Sequence, residues 1–324
     1  MGTVRVAING FGRIGRHACK IISNTKGMEL VTVNDLTDSK TLAHLLKYDT
    51  AYPDFSASVS HDDAHIIINK KKVPVCAEKD PAALPWKKYD VDVVLECTGR
   101  FTKKEDAAKH IAAGARRVVI SAPVKGGEVP TFVIGVNEHE YAGQEVVSNA
   151  SCTTNCAAPV MKVLDEVFGI ENAMLTTVHS YTASQPLQDA PSKDLREARA
   201  AAQNMVPATT GAAIATGLVL PQLSGKFDGL SVRVPTITVS LLDITAVLKT
   251  SVTKDELNMA FLEASKGALS HVLAVSSEPL VSSDFVGSSY SATVDLPLSY
   301  VVGGNLVKVI AWYDNEWGYA NRLV

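Results

Sequence analysis

Two stretches of the chain could carry chemistry. The first is SNASCTTNC over residues 148–156, with Cys152 and Cys156 four apart. Three intervening residues do not match the CxxC pair of a zinc ribbon or a thioredoxin site, and no second Cys/His pair stands at ligand spacing nearby, so no metal is expected. A disulfide within one helical turn would distort the backbone and needs an oxidising compartment. Two readings remain: a pair of small packing cysteines, or a nucleophile at the start of a helix. Ser151, Thr153 and Thr154 are helix-capping types, and NCAAPVMKVLDEVF follows them. That places Cys152 near a helix N-terminus, where the dipole favours a thiolate. Cys156, one turn further in, reads as a small buried residue.

The second stretch is Gly10-Phe11-Gly12-Arg13-Ile14-Gly15. Glycines turn strands into helices for many structural reasons, and that alternative stays open. Here the motif lies between an apolar β-type run and a helical one, and Asp35 follows Gly15 by twenty residues, the distance at which a carboxylate can accept from adenosine ribose hydroxyls. Helix N-terminal N–H groups would hold the pyrophosphate. The acid would repel a 2′-phosphate, which favours NAD over NADP. A thiolate also needs a proton partner. His179, in TTVHSYT at the end of a predicted strand, is the one of eight histidines that the pairing with Cys152 selects. Thiolate, imidazole and a nicotinamide fold together point to oxidation of an aldehyde through a covalent hemithioacetal. Ser151, Thr153, Thr182, Thr210 and Arg233 would suit phosphate oxygens, or are ordinary surface donors.

The elements that must position these residues are legible as patterns. TVRVAI is a strand running through the glycine turn into a helix, ELVTVN (29–34) is the next strand, and Ser39 with TLAHLLK reads as an N-capped helix. HIIINKKKVPVCA (65–77) looks like two short strands around a lysine-rich turn. VDVVLEC (91–97) and RRVVIS (116–121) are apolar strands with a helix between them. Strands buried on both faces and linked by helices predict a parallel, doubly wound sheet. Beyond SNASC the texture changes. Thr154 to Phe168 reads as a helix, AMLTTVHSY as a strand, 182–207 as a long polar stretch, and LSVRVPTITVSLLDITAVLK (230–249) as one long antiparallel strand. GGN (303–305) turns the chain into a last strand, LVKVIAWY.

The 324 residues suit two domains. A net charge of −3 offers no basic excess for nucleic acid or an anionic membrane. The start runs directly into an apolar β-type alternation, so no export is expected; Val6 stands where a myristoylation motif wants a hydroxyl, and no apolar run approaches the ~18 residues of a membrane helix. Five scattered cysteines suit reduced thiols. A cytoplasmic setting is expected.

NGFGRIGR, VNDL, CTGRF, ISAP, SNASCTTNC, TTVHSYT, ATTGAA, VRVPT and WYDNEWGYANR together resemble the phosphorylating glyceraldehyde-3-phosphate dehydrogenases, in register over essentially the whole chain. The resemblance implies an α/β Rossmann-type nucleotide-binding domain over 1–150, rejoined by a C-terminal helix at 317–324. It also implies an α+β catalytic domain with a mainly antiparallel sheet over 151–316. Cys152 would be the nucleophile and His179 the general base. Thr182 and Arg233 would hold the substrate's C3 phosphate, and Ser151, Thr153, Thr210 and Gly211 the attacking inorganic phosphate. Gly10, Gly12, Arg13, Ile14, Gly15, Asp35, Lys79, Thr98, Ser121 and Asn315 would contact NAD, with Tyr319 near the nicotinamide. Glyceraldehyde 3-phosphate and inorganic phosphate would be the partners of a homotetramer.

Four positions depart from the family pattern. Lys79 stands where many members have arginine, keeping the charge but not the planar stacking surface. Glu197 stands where some carry an arginine associated with the phosphate sites. Ala190-Pro191 stands where NAD-specific members have leucine-proline and NADP-using ones alanine-serine, which implies NAD preference with weaker NADP use. The chain also stops at ANRLV, where relatives continue. Two other readings stay open: an erythrose-4-phosphate dehydrogenase relative that releases the acyl group to water, and a non-catalytic binding protein on the same fold. A papain-like protease would leave the glycine turn unexplained.

Overall fold

The computed structural model describes residues 2–124 and 128–324. The chain forms two compact units, one of residues 1–132, 140–150 and 320–324, the other of 133–139 and 151–319.

In the first unit, β1 (Val4–Asn9) passes through the glycine turn into α1 (Arg13–Asn24), followed by β2 (Met28–Asn34) and α2 (Ser39–Lys47). Then come β3 (Val59–Asp62), β4 (His65–Ile68), β5 (Lys71–Cys76), β6 (Val93–Glu96), α3 (Lys104–Ala112), β7 (Arg117–Ile120) and β8 (Val146–Ser148). Among the described residues the sheet order is β3-β4-β5-β2-β1-β6-β7-β8. From β5 to β8 every pairing is parallel. Alternation divides the core between two faces: Val6, Ile8 and Leu95 pack with α1 and α2 residues such as Cys19, Ile22 and Leu46, whereas Ala7 and Val94 pack with Trp86 and Ala107. This is the doubly wound arrangement expected of strands apolar on both sides.

Two details differ from the sequence reading. The cap of α2 is Asp38, whose carboxylate accepts from Thr41 N, and Ser39 is the first helical residue. The sheet also carries an antiparallel edge, because β3 and β4 pair in antiparallel fashion and β4 turns to β5 through Asn69 and Lys70, both at positive φ.

The second unit opens with α4 (Cys152–Phe168) and β9 (Ile170–Ser180), then β10 (Val206–Thr209), α5 (Ala212–Val219), β11 (Phe227–Val234), β12 (Ser240–Leu248) and α6 (Lys254–Lys266). It continues with β13 (Leu273–Ser276), β14 (Ala292–Asp295), β15 (Tyr300–Val302) and β16 (Leu306–Tyr313); the last helix, α7 (Trp317–Leu323), starts in this unit, and its residues from 320 on belong to the first. The order β10-β11-β9-β12-β16-β14-β13, with β15 on β16, is mainly antiparallel. The single antiparallel strand expected over 230–249 is instead two strands. Pro235 has no N–H to continue the ladder, and Val239 at φ 69° reverses the path, so β11 runs parallel to β9 while β12 runs antiparallel to it. Along β12, Ser240, Leu242, Ile244, Ala246 and Leu248 are buried and the residues between them half-buried. Among the described residues no helix is long and apolar enough to cross a membrane.

Candidate active site

Cys152 is the first residue of α4. Ala150, at φ 55°, turns the chain, and Ser151 caps the helix by accepting from Thr154 N at 3.1 Å. His179 is the penultimate residue of β9, and parallel pairing sets Arg233 of β11 beside it. The three side chains converge. His179 Nε2 lies 3.5 Å from Cys152 Sγ, and Arg233 Nη1 lies 2.7 Å from His179 Nδ1.

Nδ1 also lies 2.7 Å from the Ser180 carbonyl oxygen, and it cannot serve both neighbours at once. With its proton on Nδ1, the ring donates to Ser180 and leaves Nε2 bare toward sulfur, the form a base requires. With Nδ1 accepting from Arg233, Nε2 carries the proton and donates to sulfur instead. Burial pushes His179 down to about 3, and the Arg233 cation adds to this. Burial pushes the Cys152 thiol up, opposed by Arg233 and by Thr153. Burial thus works against charge on both groups, and on the thiol it opposes the pull of Arg233 and of the helix N-terminus.

A third group was not legible in the sequence. Tyr313 Oη lies 2.9 Å from Thr153 Oγ1 and 2.8 Å from Thr177 Oγ1, and Thr153 Oγ1 lies 4.0 Å from Sγ. Burial raises the phenol, which stays neutral. In sequence Tyr313 is one more alternating apolar residue of the strand that ends there. Only the pairing of β12 with β16 brings its hydroxyl toward α4.

The remaining assigned residues are less gathered. Thr182 Oγ1 bonds Ser184 Oγ at 2.9 Å. Thr210 Oγ1 accepts from Ala212 N at 3.2 Å and Gly211 caps α5, so both bond within their own turn. Asn315 is fixed more firmly, since Ser180 Oγ and Ser240 Oγ both donate to its Oδ1, which turns its N–H groups away from them. Tyr319 is buried in α7. In the long polar segment Asp189 holds Arg199 Nε at 2.8 Å, while Ala190 and Pro191 are exposed.

In the first unit a cleft of about 570 Å³ is lined by Asn9, Gly10, Gly12, Asp35, Lys79 and Thr98, among others. The three glycines do separate jobs. At Gly10 (φ 92°) a Cβ would sit 2.8 Å from the Cys97 carbonyl carbon, and at Gly15 it would sit 2.1 Å from Gly10 O. At Gly12 a Cβ would meet nothing within 4 Å, which leaves open space in front of the α1 N-terminus. Tight turn, ligand approach and close helix packing are what a pyrophosphate-binding turn needs, so these residues fit a dinucleotide. Asp35 accepts from Phe11 N at 2.8 Å and Thr37 N at 3.0 Å, which aims its carboxylate at the cleft. Arg13 is turned to Asp49 at 2.6 Å, Ile14 packs on the core, and Ser121 bonds through its backbone to Glu96 O.

Comparison with known proteins agrees with this geometry. Residues 4–104 match the model of the glyceraldehyde 3-phosphate dehydrogenase NAD binding domain, and residues 151–315 that of the glyceraldehyde 3-phosphate dehydrogenase C-terminal domain. The chain is 53% identical over 322 residues to glyceraldehyde-3-phosphate dehydrogenase 1 of Bacillus cereus, covering 99% of this chain and 96% of the relative. It is also 53% identical over 323 residues to the Geobacillus stearothermophilus enzyme, with the same coverage. To the chloroplastic enzyme A of Chlamydomonas reinhardtii it is 49% identical over 325 residues, covering 99% and 87%. The chain belongs to the glyceraldehyde-3-phosphate dehydrogenase family.

Proposed function

We propose that the chain oxidises D-glyceraldehyde 3-phosphate to 1,3-bisphosphoglycerate with reduction of NAD, and that Cys152 and His179 carry the reaction. The approach of His179 Nε2 to Cys152 Sγ at 3.5 Å, on the first residue of a capped helix, is the observation that carries this reading. Cys152 passes its proton to His179 and bonds to the aldehyde carbon. The resulting oxyanion takes the proton to give a hemithioacetal. His179 Nε2 then accepts the hydroxyl proton as the C–H bond breaks with its electron pair, leaving a thioester. NAD, when bound, supplies the acceptor for that hydride. Inorganic phosphate attacks the thioester carbon, the C–S bond breaks, and Cys152 is restored. A thioester keeps the acyl group activated, so phosphate can take it without loss of the oxidation's free energy.

Arg233 and Thr182 are assigned to the C3 phosphate, and Ser151, Thr153, Thr210 and Gly211 to the attacking phosphate. Asn315 offers its fixed amide to the nicotinamide with Tyr319 nearby, while Asp35, Lys79, Thr98, Arg13, Ile14 and Ser121 serve the rest of the cofactor. The half-buried neighbour Arg233 gives the pair a cation that a substrate phosphate would occupy. The enzyme is assigned to the cytoplasm as a homotetramer, which the exposed apolar residues of the second unit support. The exposed Ala190-Pro191 supports weaker use of NADP.

Initial rates of reduced nicotinamide formation from glyceraldehyde 3-phosphate, with NAD or NADP and with or without phosphate, test the reading. Fast turnover that depends on phosphate and prefers NAD is expected. Turnover indifferent to phosphate would move the chain to a hydrolytic relative, and no NADP turnover would remove the secondary cofactor.

A further inference from the structure

A fully buried carboxyl group lies behind the floor of the cofactor cleft. Glu96 closes β6, and four donors converge on it. Thr98 N at 2.8 Å and Thr98 Oγ1 reach Oε1, while Asn9 Nδ2 at 2.5 Å and His110 Nε2 at 2.9 Å reach Oε2. The indole of Trp86, which can only donate, places Nε1 2.9 Å from His110 Nδ1. That leaves Nδ1 as an acceptor and puts the imidazole proton on Nε2, aimed at Glu96. From Asn9 the chain of bonds continues outward: Asn34 Nδ2 donates to Asn9 Oδ1 at 2.7 Å, and Asn34 exchanges bonds with both backbone groups of Glu78. Asn9, Asn34, Glu78 and Thr98 all line the cleft, whereas Trp86, His110 and Glu96 are buried behind it.

We propose that Glu96, held by His110 and Trp86, is a positioning residue for the adenosine half of the cofactor. It ties the ends of β1, β2 and β6 to one carboxylate. It also spends the Thr98 hydroxyl proton inward, while Arg100 N donates to the same oxygen at 3.1 Å, which fixes that side chain in one rotamer. This rests on the NAD reading above. The three buried residues belong to the first unit and the Cys152–His179 pair to the second, so their loss acts on cofactor affinity and not on acyl chemistry.

Glu96→Gln keeps the volume but turns one acceptor oxygen into a donor facing donors. Titration calorimetry with ADP-ribose is expected to show affinity at least tenfold weaker than wild type. At saturating NAD, kcat and the KM for the aldehyde should stay within twofold. A general structural role would instead lower kcat and the thermal midpoint together, and that result, or unchanged ADP-ribose affinity, overturns the proposal. Should Glu96→Gln fail to fold, Trp86→Phe releases the His110 tautomer and is expected to weaken ADP-ribose about threefold; unchanged affinity there is equally fatal. Wild-type protein that binds no ADP-ribose would sink the cofactor reading itself.

Discussion

Cys152 and His179 face each other in a setting that burial makes unfavourable for charge, and Arg233 is the group that biases both. His179→Asn keeps a side chain of similar reach without a base. It should lower kcat by about 10²–10⁴-fold while the KM for the aldehyde changes little, as steady-state kinetics would show. Arg233→Leu bears on pH. A cation favours the thiolate and disfavours the imidazolium, so Arg233 lowers both groups, and its removal raises both. The pH dependence of Cys152 alkylation by a neutral reagent should therefore shift to higher pH in Arg233→Leu, with less thiolate at any fixed pH below the midpoint. A curve that moves to lower pH, or stays in place, would remove Arg233 from the electrostatics of the pair.

At the scale of elements, the glycine turn between β1 and α1 separates folding from binding. Gly15→Ala puts a Cβ 2.1 Å from Gly10 O and should destabilise the first unit measurably in denaturant. Gly12→Ala meets open space, so it should leave stability within about 1 kcal/mol of wild type while raising the KM for NAD, because the methyl occupies the approach of the pyrophosphate. Equal losses of stability from both would contradict that division. The turn, the strands around it and the start of α4 were legible in the sequence because each depends on residues close together. Period-2 apolar alternation cannot distinguish one long strand from two, and only the missing N–H of Pro235 and the positive φ of Val239 split the stretch into β11 and β12. The capping box of α6, with Thr253 and Glu256 bonding each other's backbone N–H groups, was written locally but obscured by a polar helix of weak periodicity. Tyr313 and the Glu96 group were beyond reach because decisive partners, Thr153 for the one and Asn9 for the other, lie far along the chain.

Over the whole molecule, charge says little and exposed apolar surface says more. Ile214 is 73% exposed on α5, Met174 59% exposed on β9 and Leu218 56% exposed, and all three border one shallow groove of the second unit. Exposed apolar side chains gathered along one groove suit a contact surface. Sedimentation should find the protein larger than a monomer, and Ile214→Glu should shift it to a smaller species; a monomeric wild type would refute the tetramer assignment.

The central claim is that the acyl group passes through Cys152, and withholding phosphate should strand it there. Protein mixed with glyceraldehyde 3-phosphate and NAD in phosphate-free buffer, then quenched in acid, can be digested and its peptides weighed by mass spectrometry. The account predicts one 3-phosphoglyceroyl adduct per chain, on Cys152, which disappears when phosphate is added. No adduct, or an adduct on any other residue, would contradict it.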